Sequence, residues 1–364
     1  MEFSRAFGRK PRPWSGFESP SDADYIGNTG SIRTDLAVEA NELLQRSAGA
    51  QAQGVVSHTE ETEFGSITRV RVLTDQAARA LGKAVGNYVT IDAPDLPIRD
   101  RELESQVADA LAHELVAMIR ASYDNLDFWQ VPDFTTLVCG LGNWNATPDA
   151  IGPLVAGKVM VTRHVYSMTP PEKRGGLKSV AAVSPGVLGI TGVETAEIIS
   201  GVVARVRPNL IIVVDALAAR SVSRLGTTVQ LSDTGIQPGS GVGNRRFGIT
   251  RQSMGVPVIA VGVPTVVHAL TIVADALQIM ERCDRGPQPL TGVGPLGGPG
   301  ASADTAMQLP PAVASLLQPY LGTLIVTPKE VDVLVKDLAD VVAGGINYAL
   351  HPAIEQDEIY QYLQ

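Results

Sequence analysis

The centre of the chain carries five short apolar runs that are rich in valine and isoleucine: FTTLVCGLG, SVAAVSPG, NLIIVVD, TTVQLSD and VPVIAVG. Each run ends in glycine, proline or a polar residue, and amphipathic stretches separate most of them. Continuous apolar strands that alternate with helices are typical of a mainly parallel sheet buried on both faces. The sequence therefore predicts a twisted α/β fold with helices on both faces of the sheet.

Segments on either side of this centre extend the prediction. TRVRVL and NYVTID are predicted as added N-terminal strands, with the helical stretch AARALGKAV between them. The range 102–120 places its apolar residues on one face of a helix. Near the C-terminus, TPKEVDVLVKDLADVVAGGINYAL predicts a long helix that is capped by Thr327 and has Pro328 at its first position.

The domain organisation follows from where glycine and proline concentrate. Residues 1–35 are predicted to be a leader, because glycine, proline and serine oppose regular structure there. Residues 36–364 are predicted to form a single α/β domain. Within it, the stretch 286–311 is rich in glycine, proline and alanine, and we expect it to be a mobile excursion.

The composition excludes several classes of protein. A hydrophobic fraction of 45% in 364 residues predicts a substantial core, and a net charge of −9 argues against a protein that grips nucleic acid through phosphates. Cys139 and Cys283 lie far apart and predict neither a metal site nor a disulfide scaffold. The most apolar stretch, Val256 to Ala274, is interrupted by prolines and predicts no membrane span. Without a secretory signal, these features predict a cytoplasmic protein.

Two aspartates stand where catalytic groups gather in open α/β sheets, at the carboxyl ends of strands. Asp149 follows the strand that ends near Gly140, and Asp215 closes the run NLIIVVD. Two carboxylates that meet in a dry crevice share a proton, so that one can activate water while the other protonates a leaving amine. The alternative for Asp149 is a cap for the helix that begins at Ala150. Asp215 places a charge at the end of an apolar run, and such a charge needs a bonding partner or a catalytic role.

Two glycine loops are predicted to form walls of this site. Their residues are Gly140, Gly142 and Asn143 in the first loop, and Gly239, Gly241 and Gly243 in the second. The first loop lacks the third glycine of a dinucleotide-binding motif and the lysine of a P-loop, so the pattern disfavours nucleotide binding. No zinc-protease motif and no nucleophile elbow occurs in the sequence, and we predict neither a cofactor nor a metal.

The stretch SIRTDLAVEA, residues 31–40, has two interpretations. Thr34 or Asp35 can cap a helix whose apolar face includes Leu36. Alternatively, the bond between Asp35 and Leu36 is a site of proteolytic processing. The local sequence does not separate these interpretations.

Seven segments together resemble the germination protease family of spore-forming bacteria, which are atypical acid endopeptidases. They are SIRTDLAVEA, GLGNWNATPDAIGP, SPGVLGITGVETAEI, VVDALAARS, SDTGIQPGSGVGNRR, VPVIAVGVPTVV and VTPKEVDVLVKDLADVVAGGINYALH. The resemblance implies a zymogen that cuts its own chain at Asp35–Leu36 and then degrades the small acid-soluble proteins on spore DNA during germination. It also implies that Asp149 and Asp215 are the catalytic carboxylates of an aspartic-type peptidase.

The same resemblance implies a fold like that of the hydrogenase-maturation peptidases. It further implies a homotetramer in the cytoplasm of the forespore and spore core, without direct nucleic-acid or membrane partners. The sequence departs from the family pattern at Gln237, where the family has a histidine, and at His268, where it has an aspartate. These departures put in doubt any third catalytic or metal-binding group at those positions. The leader is longer than usual, and the stretch 286–311 replaces a longer charged insertion.

Two further hypotheses stay open. One is a metal-dependent maturation-type peptidase that uses Asp149 and Asp215 as metal ligands. The other is a non-catalytic α/β binding module in which both aspartates are helix caps.

Overall fold

The computed structural model describes residues 34–48, 53–125, 127–131, 133–170, 173–174, 178–237, 247–284, 311–322 and 324–352. Most of the predicted leader, the three glycines Gly239, Gly241 and Gly243, and nearly all of the stretch 286–311 lie outside these residues. The predicted cleavage site, between Asp35 and Leu36, lies inside them.

Strands and helices alternate along most of the chain. The strands are β1 (Val55–Thr62), β2 (Gly65–Val72), β3 (Gly86–Asp92), β4 (Thr135–Gly140), β5 (Ser179–Val183), β6 (Leu210–Ala219), β7 (Thr228–Ser232), β8 (Val258–His268) and β9 (Ile325–Val326). The helices are α1 (Ala37–Ala48), α2 (Asp75–Leu81), α3 (Arg101–Ser122), α4 (Ile151–Lys158), α5 (Arg163–Met168), α6 (Leu188–Thr191), α7 (Thr195–Val206), α8 (Arg251–Met254), α9 (Ala269–Asp284), α10 (Pro311–Leu321) and α11 (Val331–Leu350).

The strands of the described residues form one sheet in the order β1-β2-β3-β7-β8-β6-β4-β5, and β9 pairs with β8. Strands β5, β4, β6 and β8 are parallel to one another. The other strands join by antiparallel pairings. The α/β class and the added N-terminal strands are therefore confirmed, and the sheet is mixed, with its parallel part limited to four strands.

Both faces of this parallel part are buried, which explains why its strands read as continuous apolar runs. Ile212 and Val214 of β6 belong to the core that α3, α4 and α11 cover. Ile211 and Val213 point to the opposite face and pack in a second cluster with residues of α7. All four side chains have an exposure of 0%. Burying a side chain of this size contributes about 1.5 to 3 kcal/mol.

The last helix begins later than the sequence predicts. Its N-cap is Glu330 and its first residue is Val331, so the predicted cap at Thr327 is wrong. The reason is a tertiary contact: Thr327 Oγ1 donates a hydrogen bond of 2.9 Å to the carbonyl of Thr265 on β8. Thr327 therefore ties the segment after β9 to the central sheet.

None of the helices in the described ranges has both the length and the apolar character that a membrane-crossing helix needs.

Candidate active site

Glycines bring the loop after β4 close to Asp149. Gly142 has a φ of +114°, and a Cβ atom built on it would lie 1.9 Å from the carbonyl oxygen of Asp149. A residue without a Cβ atom is therefore needed where the loop meets the 3₁₀ turn Thr147–Asp149. Gly140 makes a second close approach, because a Cβ atom there would lie 2.1 Å from the carbonyl oxygen of Gly152 in α4. These contacts hold Asp149 against the carboxyl end of β4.

One hydrogen bond positions the carboxylate of Asp149, and a second fixes the residue before it. Its Oδ2 accepts a hydrogen bond of 2.9 Å from the amide of Asn143. The preceding residue is fixed by β8, since Thr265 Oγ1 donates to the carbonyl of Pro148 at 2.7 Å. The N-cap of α4 is Ala150, which makes no side-chain capping bond. Asp149 is partly exposed, so solvent water reaches this side of the site.

Asp215 lies within a strand and not at its end, which corrects the sequence prediction. Strand β6 continues to Ala219 because β8 continues beside it, with Asp215 opposite Gly262. On the other side of β6, the last pairing of β4 joins Gly140 to Val214. Asp215 therefore occupies the first position beyond the end of β4, at the edge where sites of α/β proteins gather.

The environment of Asp215 favours the neutral acid. The residue is 7% exposed, and burial raises the pKa of its carboxyl group well above the usual range. The charge of Asp149 raises that pKa further, and Asp35 adds a smaller effect in the same direction. The amide of Ala216 donates to Oδ1 at 3.0 Å and opposes the shift. Asp149 therefore lies near enough to Asp215 for its charge to raise the pKa of that carboxyl group.

A β-bulge in β8 connects the turn that carries Asp149 to the segment after β9. Leu217 pairs with Pro264 and Ala218 with Val266, so Thr265 is the extra residue. Bulges re-aim side chains beside active sites. Here Thr265 donates its hydroxyl to the turn before Asp149 and its carbonyl accepts a hydrogen bond from Thr327.

The predicted cleavage site docks on the edge of β6 that β4 leaves open. The amide of Asp35 donates to the carbonyl of Ala218 at 2.9 Å, and the amide of Ala218 donates to Asp35 Oδ2 at 2.9 Å. Val214 uses its carbonyl to bind Leu141 beyond the end of β4. Alternate residues of a strand present their backbone groups to the same edge. Asp35 therefore takes the place that a longer β4 would occupy.

Two side chains that sequence reasoning missed surround the carbonyl of the Asp35–Leu36 bond. Lys83 Nζ donates to the carbonyl oxygen of Asp35 at 2.8 Å and to that of Thr34 at 3.1 Å. Gln230 Nε2, on β7, donates to the carbonyl oxygen of Asp35 at 3.2 Å. A glutamine inside the apolar run TTVQLS was the available signal, because a buried amide needs partners.

Helix α1 is fixed immediately after this bond. Leu36 is 0% exposed, and Gln230 Oε1 accepts a hydrogen bond of 2.6 Å from the amide of Ala37. Glu39 is buried and accepts hydrogen bonds from the backbone amides of Arg220 and Ser221, at 2.7 and 2.9 Å. Helix α1 therefore begins directly after the predicted cleavage site, and processing at that bond stays a prediction.

Arg224 extends this anchor across the sheet. Its guanidinium group contacts Glu39 at 3.4 Å, Glu42 at 2.9 Å and Asp92 at 2.6 Å. The cluster joins α1 to β3 and to the segment after β6. A cavity of about 380 Å³ lies beside it, lined by residues that include Glu42, Asp92 and Arg220.

Other predicted positions have clear locations. Cys139 is a core residue, and burial raises the pKa of its thiol to about 12. Gln237 is exposed, and His268 ends β8 opposite Ile325 of β9. Across the residues that the structure describes, no three His, Cys, Asp or Glu side chains gather as they would around a metal ion.

Comparison with known proteins identifies the family. The profile of the germination protease family matches residues 33–284 and 308–363. The germination protease of Caldanaerobacter subterraneus subsp. tengcongensis is 45% identical over 334 residues, which cover 91% of this chain and 98% of that protein. The germination protease of Clostridium acetobutylicum is 43% identical over 334 residues, covering 92% and 99% of the two chains. That of Bacillus cereus strain G9842 is 39% identical over 362 residues, covering 91% and 97%.

Among solved structures, the crystal structure of the [NiFe] hydrogenase maturation protease HycI from Thermococcus kodakarensis KOD1 covers 44% of this chain and 95% of its own, with a TM-score of 0.25 and 17% identity. The family resemblance predicted from the sequence segments is confirmed by the family profile and by relatives that align along nearly their whole length. This chain belongs to the germination protease family and is a protease.

Proposed function

We propose that this protease is a self-processing aspartic-type endopeptidase that cuts its own Asp35–Leu36 bond and then degrades small acid-soluble spore proteins during germination. The observation that carries the proposal is the arrangement at the end of β4. Burial and, after it, the charge of Asp149 raise the pKa of Asp215, and Asp35 is hydrogen-bonded to Ala218, three residues further along the same strand. A substrate segment and a carboxylate pair thus share one edge of the sheet.

We assign different roles to the two aspartates, and their surroundings support this assignment. Asp149 accepts a hydrogen bond from the amide of Asn143 and is partly exposed, and both features suit an ionised carboxylate that removes a proton from water. Asp215 is buried, and its raised pKa lets it keep its proton to a higher pH than an ordinary aspartate. It is then the acid that protonates the departing nitrogen of Leu36.

The reaction balances with the groups present. The oxygen of a water molecule bonds to the carbonyl carbon of Asp35 while Asp149 takes the proton of that water. The bond to the nitrogen of Leu36 then breaks as Asp215 donates its proton to that nitrogen. Asp149 then holds the proton that it took from water, and Asp215 has given its own proton to the nitrogen of Leu36. Transfer of a proton from Asp149 to Asp215 restores the pair.

The test is the intact mass of the purified chain before and after incubation at mildly acidic pH. We expect the wild type to lose residues 1–35, and Asp149→Asn and Asp215→Asn to keep them. Asp75→Asn, an exposed aspartate in the first turn of α2, is the matched control and should process normally. Normal processing by folded Asp149→Asn or Asp215→Asn would refute the proposed roles.

A second assay addresses the substrates and the assembly. The processed chain should degrade purified small acid-soluble spore proteins, and sedimentation should report a homotetramer in both the uncut and the processed chain. We place this activity in the cytoplasm of the forespore and spore core. Loss of activity with a chelator, restored by a divalent ion, would instead support the metal-dependent hypothesis.

A further inference from the structure

The carbonyl oxygen of the Asp35–Leu36 bond is held by two side chains from separate elements. Lys83 follows α2 and approaches at 2.8 Å, and Gln230 on β7 approaches at 3.2 Å. Both are hydrogen-bond donors, and one carries a positive charge when protonated. In hydrolysis of a peptide bond, this oxygen becomes the negative oxyanion of the tetrahedral intermediate.

The position of each donor is fixed before any reaction takes place. Gln230 is 7% exposed and is clamped by its second contact, in which its Oε1 accepts from the amide of Ala37. This contact defines the orientation of the amide and aims Nε2 at the carbonyl of Asp35. Lys83 is held by two neighbouring carbonyls, those of Thr34 and Asp35. Donors fixed in advance need no reorganisation when charge develops.

The charge of Lys83 also fits this place. Its side chain is partly buried, and desolvation lowers the pKa of its ammonium group, while the carboxylates of Asp35 and Glu39 oppose that change. The neighbouring carboxylates favour the protonated form, which places a positive charge 2.8 Å from the carbonyl oxygen of Asp35. A cation with little surrounding water interacts with a nearby anion more strongly than one in bulk solvent.

We infer that Lys83 and Gln230 are catalytic residues of self-processing, and that they form the oxyanion-binding pair for cleavage of the Asp35–Leu36 bond. The inference rests on the proposed function, because it assumes that this bond is cut. In the reaction, the π electrons of the carbonyl of Asp35 move onto its oxygen as water adds to the carbon. Lys83 Nζ and Gln230 Nε2 donate to that oxygen until the electrons return and the bond to Leu36 breaks. Neither side chain loses its proton.

The test measures the first-order rate of self-processing by intact mass at mildly acidic pH. Lys83→Met removes the cationic donor while keeping the length of the side chain. Gln230→Glu replaces the donor at Nε2 but retains an acceptor for the amide of Ala37. We expect each change to slow processing by about 100-fold. Lys83→Arg should recover part of the rate, because it supplies a cationic donor. Lys336→Met, an exposed lysine of α11, is the matched control and should process at the wild-type rate.

A second measurement separates catalysis from docking of the segment. Hydrogen exchange of residues 36–40 is compared in Asp215→Asn, which the proposed function makes uncleavable, with and without Lys83→Met. Equal protection together with slow processing by Lys83→Met supports the inference. Slow processing together with lost protection overturns it, because Lys83 then only holds the segment in place.

The outcomes also separate the two proposals. One outcome refutes the oxyanion pair and leaves the proposed function standing. In that outcome both aspartate variants, Asp149→Asn and Asp215→Asn, fail to process. Lys83→Met and Gln230→Glu, in contrast, both process within threefold of the wild-type rate. If folded Asp215→Asn processes normally, the proposed function is refuted, and with it the basis of this inference.

Discussion

Replacing Asp215 by asparagine should make the protein more stable than the wild type by an amount that grows with pH. The folded state raises the pKa of Asp215 through burial and through the charge of Asp149. Its stabilising contribution is therefore fully present below the ordinary aspartate pKa of about 3.9. It is lost as pH rises, because the unfolded chain ionises first while the folded chain keeps its proton. Asparagine has no proton to release, and its Oδ1 can still accept from Ala216 as Asp215 does.

The magnitude follows from the proton count. Between the ordinary pKa and the raised one, the folded wild type binds one proton more than the unfolded chain at this residue. Its free energy of unfolding therefore falls by about 1.4 kcal/mol for each pH unit from this group alone. The difference between Asp215→Asn and wild type should increase by the same amount per pH unit and level off once folded Asp215 ionises.

Urea unfolding of both proteins at a series of pH values above 4 measures this difference. Protomer concentration is held constant because assembly affects apparent stability, and intact mass verifies that only uncut chain is compared. Asp75→Asn, at an exposed aspartate of α2, is measured in the same way as the control. A difference for Asp215→Asn that stays constant with pH, or that shrinks as pH rises, would refute the reasoning on the protonation of Asp215.

Three further predictions concern the same site and its supports. The rate of self-processing should fall as pH rises through the raised pKa of Asp215, because the acid form is lost, and a rate profile by intact mass measures this. Gly142→Ala should slow self-processing by about 100-fold, because its Cβ atom would displace the turn that carries Asp149. Gly157→Ala, at a position of α4 that faces open space, is the control. Equal rates of self-processing in the two variants would contradict the prediction. Arg224→Met should lower the free energy of unfolding by about 3 to 5 kcal/mol, since it leaves Glu39 buried without its cation. Urea unfolding measures this loss. The double variant Arg224→Met with Glu39→Gln should recover part of the lost free energy.

The sequence predicted the parts of this structure that depend on short-range patterns. Apolar runs located the four parallel strands, and the polar residues after them led to Asp149 and Asp215. The prediction that Asp215 ends its strand is wrong, because β6 continues to Ala219, but β4 ends beside Val214 and leaves Asp215 at the end of that neighbouring strand. The end of a sheet position is defined by the neighbouring strands as well as by the strand's own residues. The neighbouring strands cannot be read from one apolar run of the sequence.

The rest of the site depends on contacts between distant segments. Lys83 comes directly after Gly82, the C-cap of α2, where a lysine in a sequence reads as a solvated residue. Its contact with Asp35 spans 48 positions of the chain. Gln230 is 195 positions from Asp35. The hydroxyl of Thr327 donates to the carbonyl of Thr265, which is 62 positions away. No local propensity encodes such pairings.

The anchoring of α1 determines what a cut at Asp35–Leu36 would release. Leu36 and Glu39 stay buried on the protease side of the bond, whereas Asp35 is held by hydrogen bonds to Ala218, Lys83 and Gln230. Before the cut, the chain itself holds Asp35 at this edge at a high effective concentration, which for short tethers is in the millimolar range. After the cut, the same segment binds only at its concentration in the surrounding solution. A single cut would therefore turn the segment that ends at Asp35 from a tethered ligand of the open edge of β6 into a free peptide at low concentration. Dilution of this peptide would leave the edge available for other extended chains.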